Sequence, residues 1–126
     1  MVYVDASALI KLVVSEPESD RLRQALDGAR LIGSDVLVTE VMRAVQRRGG
    51  PVRAAVDAIA RIHRIELSDE ILLRAGSLEP VELRSLDAIH LASALMVAPH
   101  VQAFVTYDRT LGRAARAAGL PVLTPR

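Results

Sequence analysis

Short apolar runs separated by helical segments recur along the chain, and this alternation limits the fold more than any other feature. Val2-Tyr3-Val4, Leu31-Ile32-Gly33, Ile65-Glu66-Leu67, Ala103-Phe104-Val105-Thr106 and Pro121-Val122-Leu123 are each too short for a helix and read as strands. Strands separated by helices must run mainly parallel, because a parallel connection needs a crossover of about a dozen residues. The expected architecture is therefore α/β: a three-layer α/β/α sandwich around a mainly parallel sheet of about five strands. No linker, repeat or low-complexity segment divides residues 1–126, so they are read as one domain.

The intervening helices carry their own start and stop signals. Asp5-Ala6-Ser7 supplies capping oxygens for a helix over 8–14, and a second runs over 18–26 to Gly28. Ser34 and Asp35 precede an apolar stripe of Leu37, Val38, Val41, Met42 and Val45 that ends at Gly49-Gly50-Pro51. A helix from 52 to about 61 completes a hairpin, and Ser68-Asp69-Glu70 caps a further one over 71–77. Ser85 opens a helix through 97, and Asp108 caps one over 109–118 that closes at Gly119.

Composition narrows the function. Zero cysteines exclude a disulfide scaffold, a thiol nucleophile and a thiolate metal site. A formal net charge of +1 argues, on its face, against a bulk polyanion binder, and the fact that fifteen of the sixteen basic residues are Arg fits either phosphate recognition or a codon bias toward Arg. No apolar run approaches the roughly 18 residues of a bilayer span, so the protein is read as soluble and cytoplasmic, with no membrane partner.

The chemistry-bearing residues are acids. Ligands of an open parallel sheet sit beyond the carboxyl ends of its strands. Asp5 ends the first strand and Asp108 follows the fourth, so right-handed crossovers bring both to one sheet edge. Asp87, in the first turn of its helix, can point at the same edge. Glu40 lies about 60° from the Leu37/Val41 direction at ~100° per residue, on the border of the apolar stripe and within reach of a pocket. Each acid alone has an ordinary structural explanation as a cap, a helix-dipole partner or a surface charge. Convergence of four does not, because they repel one another unless a multivalent cation or a shared proton compensates. An oxygen-only donor set favours Mg²⁺ or Mn²⁺, and such a site suits hydrolysis of a phosphodiester.

Four segments carry a family resemblance. Val4-Asp5-Ala6-Ser7-Ala8-Leu9-Ile10-Lys11, Glu40-Val41-Met42-Arg43-Ala44, Leu86-Asp87-Ala88-Ile89-His90-Leu91-Ala92 and Val105-Thr106-Tyr107-Asp108, with Leu111, Ala115, Gly119-Leu120 and Val122, resemble PIN-domain ribonucleases. The resemblance is greatest to the VapC toxins of bacterial toxin-antitoxin pairs and covers essentially the whole chain. It implies an Mg²⁺- or Mn²⁺-dependent endoribonuclease acting on an RNA substrate, held inactive by a cognate VapB-type antitoxin and usually homodimeric. It further implies that Asp5 and Asp87 are the principal metal ligands, that Glu40 and Asp108 complete the catalytic quartet, and that Ser7 and Thr106 orient a carboxylate or a water.

Two readings compete with this one. A non-catalytic PIN-like module would use the same scaffold to bind RNA or protein, and a receiver-like phosphoacceptor would use Asp5 but leaves Glu40 unexplained. Lesser candidates are His90, at i+3 from Asp87, as a packed or partly exposed histidine or a hydrogen-bond partner behind a ligand rather than a ligand; Lys11 as a charge partner or a solvated lysine; and Arg43 and Arg47 beside Glu40. Arg109, Arg113 and Arg116 lie along one helix and can either track phosphates or simply keep the surface soluble, whereas His63 and His100, near helix ends, are read as incidental. With one Phe and two Tyr, a base-stacking platform is not indicated. Dimerisation would use the apolar helices at 52–62 and 72–78. Setting the quartet aside splits the +1 into a −4 site and a +5 remainder, which is compatible with an Arg-bearing shell around a cation-filled pocket.

Overall fold

The computed structural model describes all 126 residues. In chain order the elements are β1 (Val2–Val4), α1 (Ala6–Val13), α2 (Ser19–Ala25), β2 (Leu31–Ser34), α3 (Val36–Arg47), α4 (Val52–Ala60) and β3 (His63–Ile65). They continue with α5 (Asp69–Gly76), α6 (Ser85–Met96), a 3-10 turn (Ala98–His100), β4 (Ala103–Val105), α7 (Arg109–Ala117) and β5 (Val122–Leu123). The five strands form one sheet in the order β3-β2-β1-β4-β5, and every neighbouring pair is parallel. No helix is long and apolar enough to cross a membrane.

Strand alternation divides the apolar residues between two cores, one on each face. In β1, Val2 and Val4 join α1, α2, α3 and α4 in one cluster, while Tyr3 points the other way into a cluster with α5, α6 and α7. Because β1 is central and flanked on both faces, its three residues are at most 9% exposed, which is why an uninterrupted Val-Tyr-Val run serves there. Gly33 is required by close approach: a Cβ would collide with Leu37 Cδ2 and stand 3.0 Å from the Val4 carbonyl oxygen. Its absence lets α3 settle onto the sheet, which fixes where Glu40 emerges.

The third strand lies two residues before its expected place. His63, Arg64 and Ile65 pair with Ile32, Gly33 and Ser34, and the backbone N–H of Asp35 donates to the Ile65 carbonyl (3.1 Å). Register is set by Ile62, buried against Gly33 just before the strand, not by the Ile65/Leu67 alternation. As an edge strand with His63 and Arg64 exposed, β3 carries no apolar signature. His63 is thus a strand residue, not a helix-end one. Of the expected caps, Asp5, Ser68 and Asp108 accept hydrogen bonds from the first turns of their helices, whereas the side chain of Asp35 caps nothing.

Candidate active site

At the carboxyl edge of the sheet, the end of β1, the helices α3 and α6 and the β4–α7 turn converge. Asp5, Glu40, Asp87 and Asp108 all line one cavity of about 740 Å³ there. The central strand delivers Asp5, β2 delivers α3 with Glu40 on one side, and β4 delivers Asp108 on the other. Residues as far apart in sequence as 5 and 108 therefore share one site.

Asp5 is the most constrained of the four. It is 3% exposed, and Oδ1 accepts from the Ala8 backbone N–H (3.0 Å) and from the Ser7 hydroxyl (2.6 Å), while Oδ2 accepts from the Thr106 hydroxyl (2.5 Å). Those hydroxyls in turn accept from the β4–α7 turn: Tyr107 N–H donates to Ser7 Oγ (2.9 Å) and Asp108 N–H to Thr106 Oγ1 (3.1 Å). Ser7 and Thr106 thus tie the turn carrying Asp108 to the carboxylate of Asp5. Burial pushes the Asp5 carboxyl above its ordinary range, opposed by His90 and by the donors from Ser7, Thr106 and Ala8.

Asp87 differs. It is half-buried, accepts no hydrogen bond from the protein, and is pushed up to about 6, first by burial and then by the charges of Asp108 and Asp5. Asp108 caps α7 by accepting from Leu111 N–H (2.8 Å). Glu40 reaches from the border of the α3 stripe to His90, whose Nε2 stands 2.7 Å from Glu40 Oε1.

Whether these residues suit a cation can be judged from the donor set. No three acids or histidines enclose a metal position by themselves. A Mg²⁺-type ion does not require that, since it keeps several waters and binds through one or two carboxylates. An open cavity with oxygen donors only, and carboxylates close enough to raise Asp87, fits such an ion. His90 is not available as a ligand, because both ring nitrogens are engaged by protein groups.

Among the basic residues, Lys11 departs from expectation. Lys11 neither reaches the acids nor sits free in solvent: it pairs with Glu16 and Glu18 and lies 4.6 Å from the Tyr107 ring centroid. Arg43 and Arg47 do line the acidic cavity, joined by Arg84. An adjoining groove of about 450 Å³ shares Asp108 and is lined by Arg109, Arg113, Arg116 and Arg126. None of these seven guanidinium groups forms an ion pair. Sequence reasoning missed Arg84 and Arg126: Arg84 is the N-cap of α6, and its spacing of three before Asp87 was the available signal, whereas Arg126 lies past β5. It also missed Tyr3, whose only signal was being the one polar-tipped residue in β1.

Comparison with known proteins agrees with this geometry. The PIN domain family model matches residues 2–117. Ribonuclease VapC46 of Mycobacterium tuberculosis is 40% identical, covering 98% of this chain and 97% of its own. Ribonuclease VapC35 of the same species is 42% identical over 99% and 97%. Among solved structures, a toxin-antitoxin complex from Klebsiella pneumoniae superposes with a TM-score of 0.75 at 25% identity, covering 100% of this chain and 98% of that one. M. tuberculosis VapC20, described as a sarcin-ricin loop cleaving toxin, shares the fold with a TM-score of 0.72 at 20% identity over 95% and 96%. With an all-parallel five-stranded sheet, an acid-lined carboxyl edge and full-length relatives that are VapC proteins, this chain belongs to the PIN domain family.

Proposed function

We propose that the protein, as one PIN domain over 1–126, is a divalent-cation-dependent endoribonuclease, the cytoplasmic toxin of a VapBC-type pair restrained by a VapB-type antitoxin. The observation that carries this reading is the single cavity into which four separate elements bring Asp5, Glu40, Asp87 and Asp108. Full-length relatives named ribonucleases and a similar fold within a toxin-antitoxin complex support the activity and the kind of partner.

The chemistry divides among the residues as follows. Asp5 and Asp87 would hold Mg²⁺ or Mn²⁺, with Asp5 already locked in orientation by its three donors. The bound ion would supply charge neutralisation at the scissile phosphate and a more acidic water. Glu40 and Asp108 accept protons from, or orient, water on the two sides of the cavity. The seven unpaired Arg side chains hold the sugar-phosphate backbone through charge-assisted hydrogen bonds, making RNA, not a small phosphate ester, the fitting substrate.

A homodimer is part of the same reading. Leu72, Leu73 and Val81 are exposed by 44%, 76% and 84% around α5 and the loop after it, and Val52 and Val56 are exposed on α4. Light scattering on the L73D variant checks this, the expected result being conversion of a dimer to a monomer.

The activity is tested by incubating purified protein with labelled single-stranded RNA. Cleavage is expected with Mg²⁺ or Mn²⁺ and none with EDTA, and expression is expected to arrest growth. Tight RNA binding without cleavage under any divalent cation would overturn the enzymatic reading in favour of a non-catalytic module.

A further inference from the structure

We infer that Tyr3 and His90 form a buried relay whose task is to hold the Glu40 carboxylate in the acidic cavity, a role that rests on the nuclease reading above. The Tyr3 hydroxyl lies 2.8 Å from His90 Nδ1, and His90 Nε2 lies 2.7 Å from Glu40 Oε1. Tyr3 is 0% exposed and His90 1%, whereas the Glu40 side chain keeps 23% of its exposure. The chain of bonds therefore runs outward from the core to the cavity wall.

Hydrogen-bond chemistry fixes its outer end. A carboxylate only accepts, so His90 Nε2 carries the hydrogen it donates to Glu40. With the ring neutral, its bare Nδ1 accepts from the Tyr3 phenol; with the ring charged, Nδ1–H donates to the phenol oxygen, so the chain of bonds closes in either form. Tyr3 cannot turn away, because its ring is stacked on Phe104 at 4.9 Å and 2° and meets the imidazole edge-on.

The relay also joins the helical layers on the two faces of the sheet. Tyr3 belongs to the cluster formed with α5, α6 and α7, and His90 lies on α6; Glu40 lies on α3, which packs in the other cluster. A Glu side chain on a partly exposed helix border has three free torsions, and anchoring Oε1 removes that freedom while leaving Oε2 for water or a cation. Tyr3 and His90 are positioning residues: they act through Glu40 and touch no reacting atom. Their spacing from the acids, Tyr3 two before Asp5 and His90 three after Asp87, places each on the face of its element that also carries a proposed ligand.

The test compares H90L, H90Q, Y3F and E40Q in RNA cleavage, in Mn²⁺ affinity by calorimetry, and in thermal unfolding. H90L is expected to fold, to lose about 10- to 100-fold in kcat with KM little changed, and to bind Mn²⁺ more weakly. H90Q, whose amide can still accept from Tyr3 and donate to Glu40, is expected to recover most of that loss at similar stability. Y3F, which deletes one hydroxyl and leaves the stacked ring, is expected to lose less than H90L. In an E40Q background, adding H90L is expected to cost nothing further, since the relay then has no carboxylate to hold. Full activity and parental Mn²⁺ affinity in folded H90L would overturn the inference, as would additive losses in the double variant. Should H90L fail to fold, Y3F alone and with E40Q decides the matter by the same additivity. A parent that binds Mn²⁺ but never cleaves RNA removes the nuclease reading, while the Mn²⁺ affinities still report whether Glu40 is held.

Discussion

Asp5 and Asp87 are proposed to hold the same ion, yet the fold treats them in opposite ways. Asp5 is buried with three donors on its carboxylate, two of them hydroxyls that also fasten the β4–α7 turn. Asp87 is half-buried with no donor, and its neighbours' charges help raise it to about 6. Burial raises both carboxyls, but Asp5 is built into the architecture as a cap and a fastener, whereas Asp87 has no donor to offset its neighbours' charges and is left under a tension that a cation or a proton would relieve. Loss of function should accompany either substitution, but the stabilities should move in opposite directions.

The largest expected effect tests the shared half of that statement. D5A and D87A should each lose at least about 100-fold in RNA cleavage, read from initial rates at saturating Mn²⁺. Retention of more than a tenth of the activity by D87A would assign the ion to other residues. D5A should also unfold more readily: it leaves the Ser7 and Thr106 hydroxyls and the Ala8 N–H short of an acceptor, which costs about 1–3 kcal/mol with the lost cap included.

Much of the fold and of the site was legible in the sequence, and the rest was not for definite reasons. The parallel sheet, the caps at Asp5, Ser68 and Asp108, and the placement of four acids at one edge follow from local patterns plus the handedness of crossovers. Glu40 was readable because a single helix fixes its angle to its own apolar stripe. The strand His63–Ile65 was not, because an edge strand paired on one side needs no apolar alternation and took its register from Ile62 and Gly33. Nor was the Tyr3–His90–Glu40 relay: three residues on three elements show no mutual spacing, and whether a histidine is packed, solvated or bridging depends on what lies across from it. Lys11 failed for the same reason, its partners Glu16 and Glu18 being brought in by the turn before α2.

The fastener half of the comparison is sharpened by T106V. Thr106 is 1% exposed and serves at once as donor to Asp5 and acceptor for Asp108 N–H. Replacing its hydroxyl with a methyl should cost about 1–2 kcal/mol in denaturant unfolding and about tenfold in cleavage, because two proposed site acids lose their tie in one step. A fall in stability with no fall in rate would confine this tie to folding.

Asp87 supplies the inverse case. A raised carboxyl means that the charged form opposes the folded state, so D87N should stabilise the metal-free protein. With the group half-exposed, solvent screening reduces the gain to about 1 kcal/mol. Mn²⁺ should raise the melting temperature of the parent, since a ligand that binds only the folded state stabilises it, and should raise that of D87N much less. If D87N proved less stable than the parent in EDTA, the tension attributed to Asp87 would be absent.

The smallest effect concerns the Arg groove beside Asp108, where neither burial nor capping is at stake. Arg113 and Arg116 are exposed, unpaired and three residues apart on α7, so R113Q/R116Q should leave the unfolding free energy within about 0.5 kcal/mol of the parent. Its consequence should appear in binding alone. Each lost phosphate contact on a single strand lowers the slope of log affinity against log salt by about 0.7, so the double variant should show a slope shallower by about 1.4. KM should rise several-fold at constant kcat, because these side chains touch the strand away from the reacting phosphate. R53Q, on α4 and outside both cavities, should leave slope and KM unchanged. Equal slopes for all three proteins would mean that the strand does not cross α7, leaving Arg43, Arg47 and Arg84 on the opposite side of Asp5 as its path.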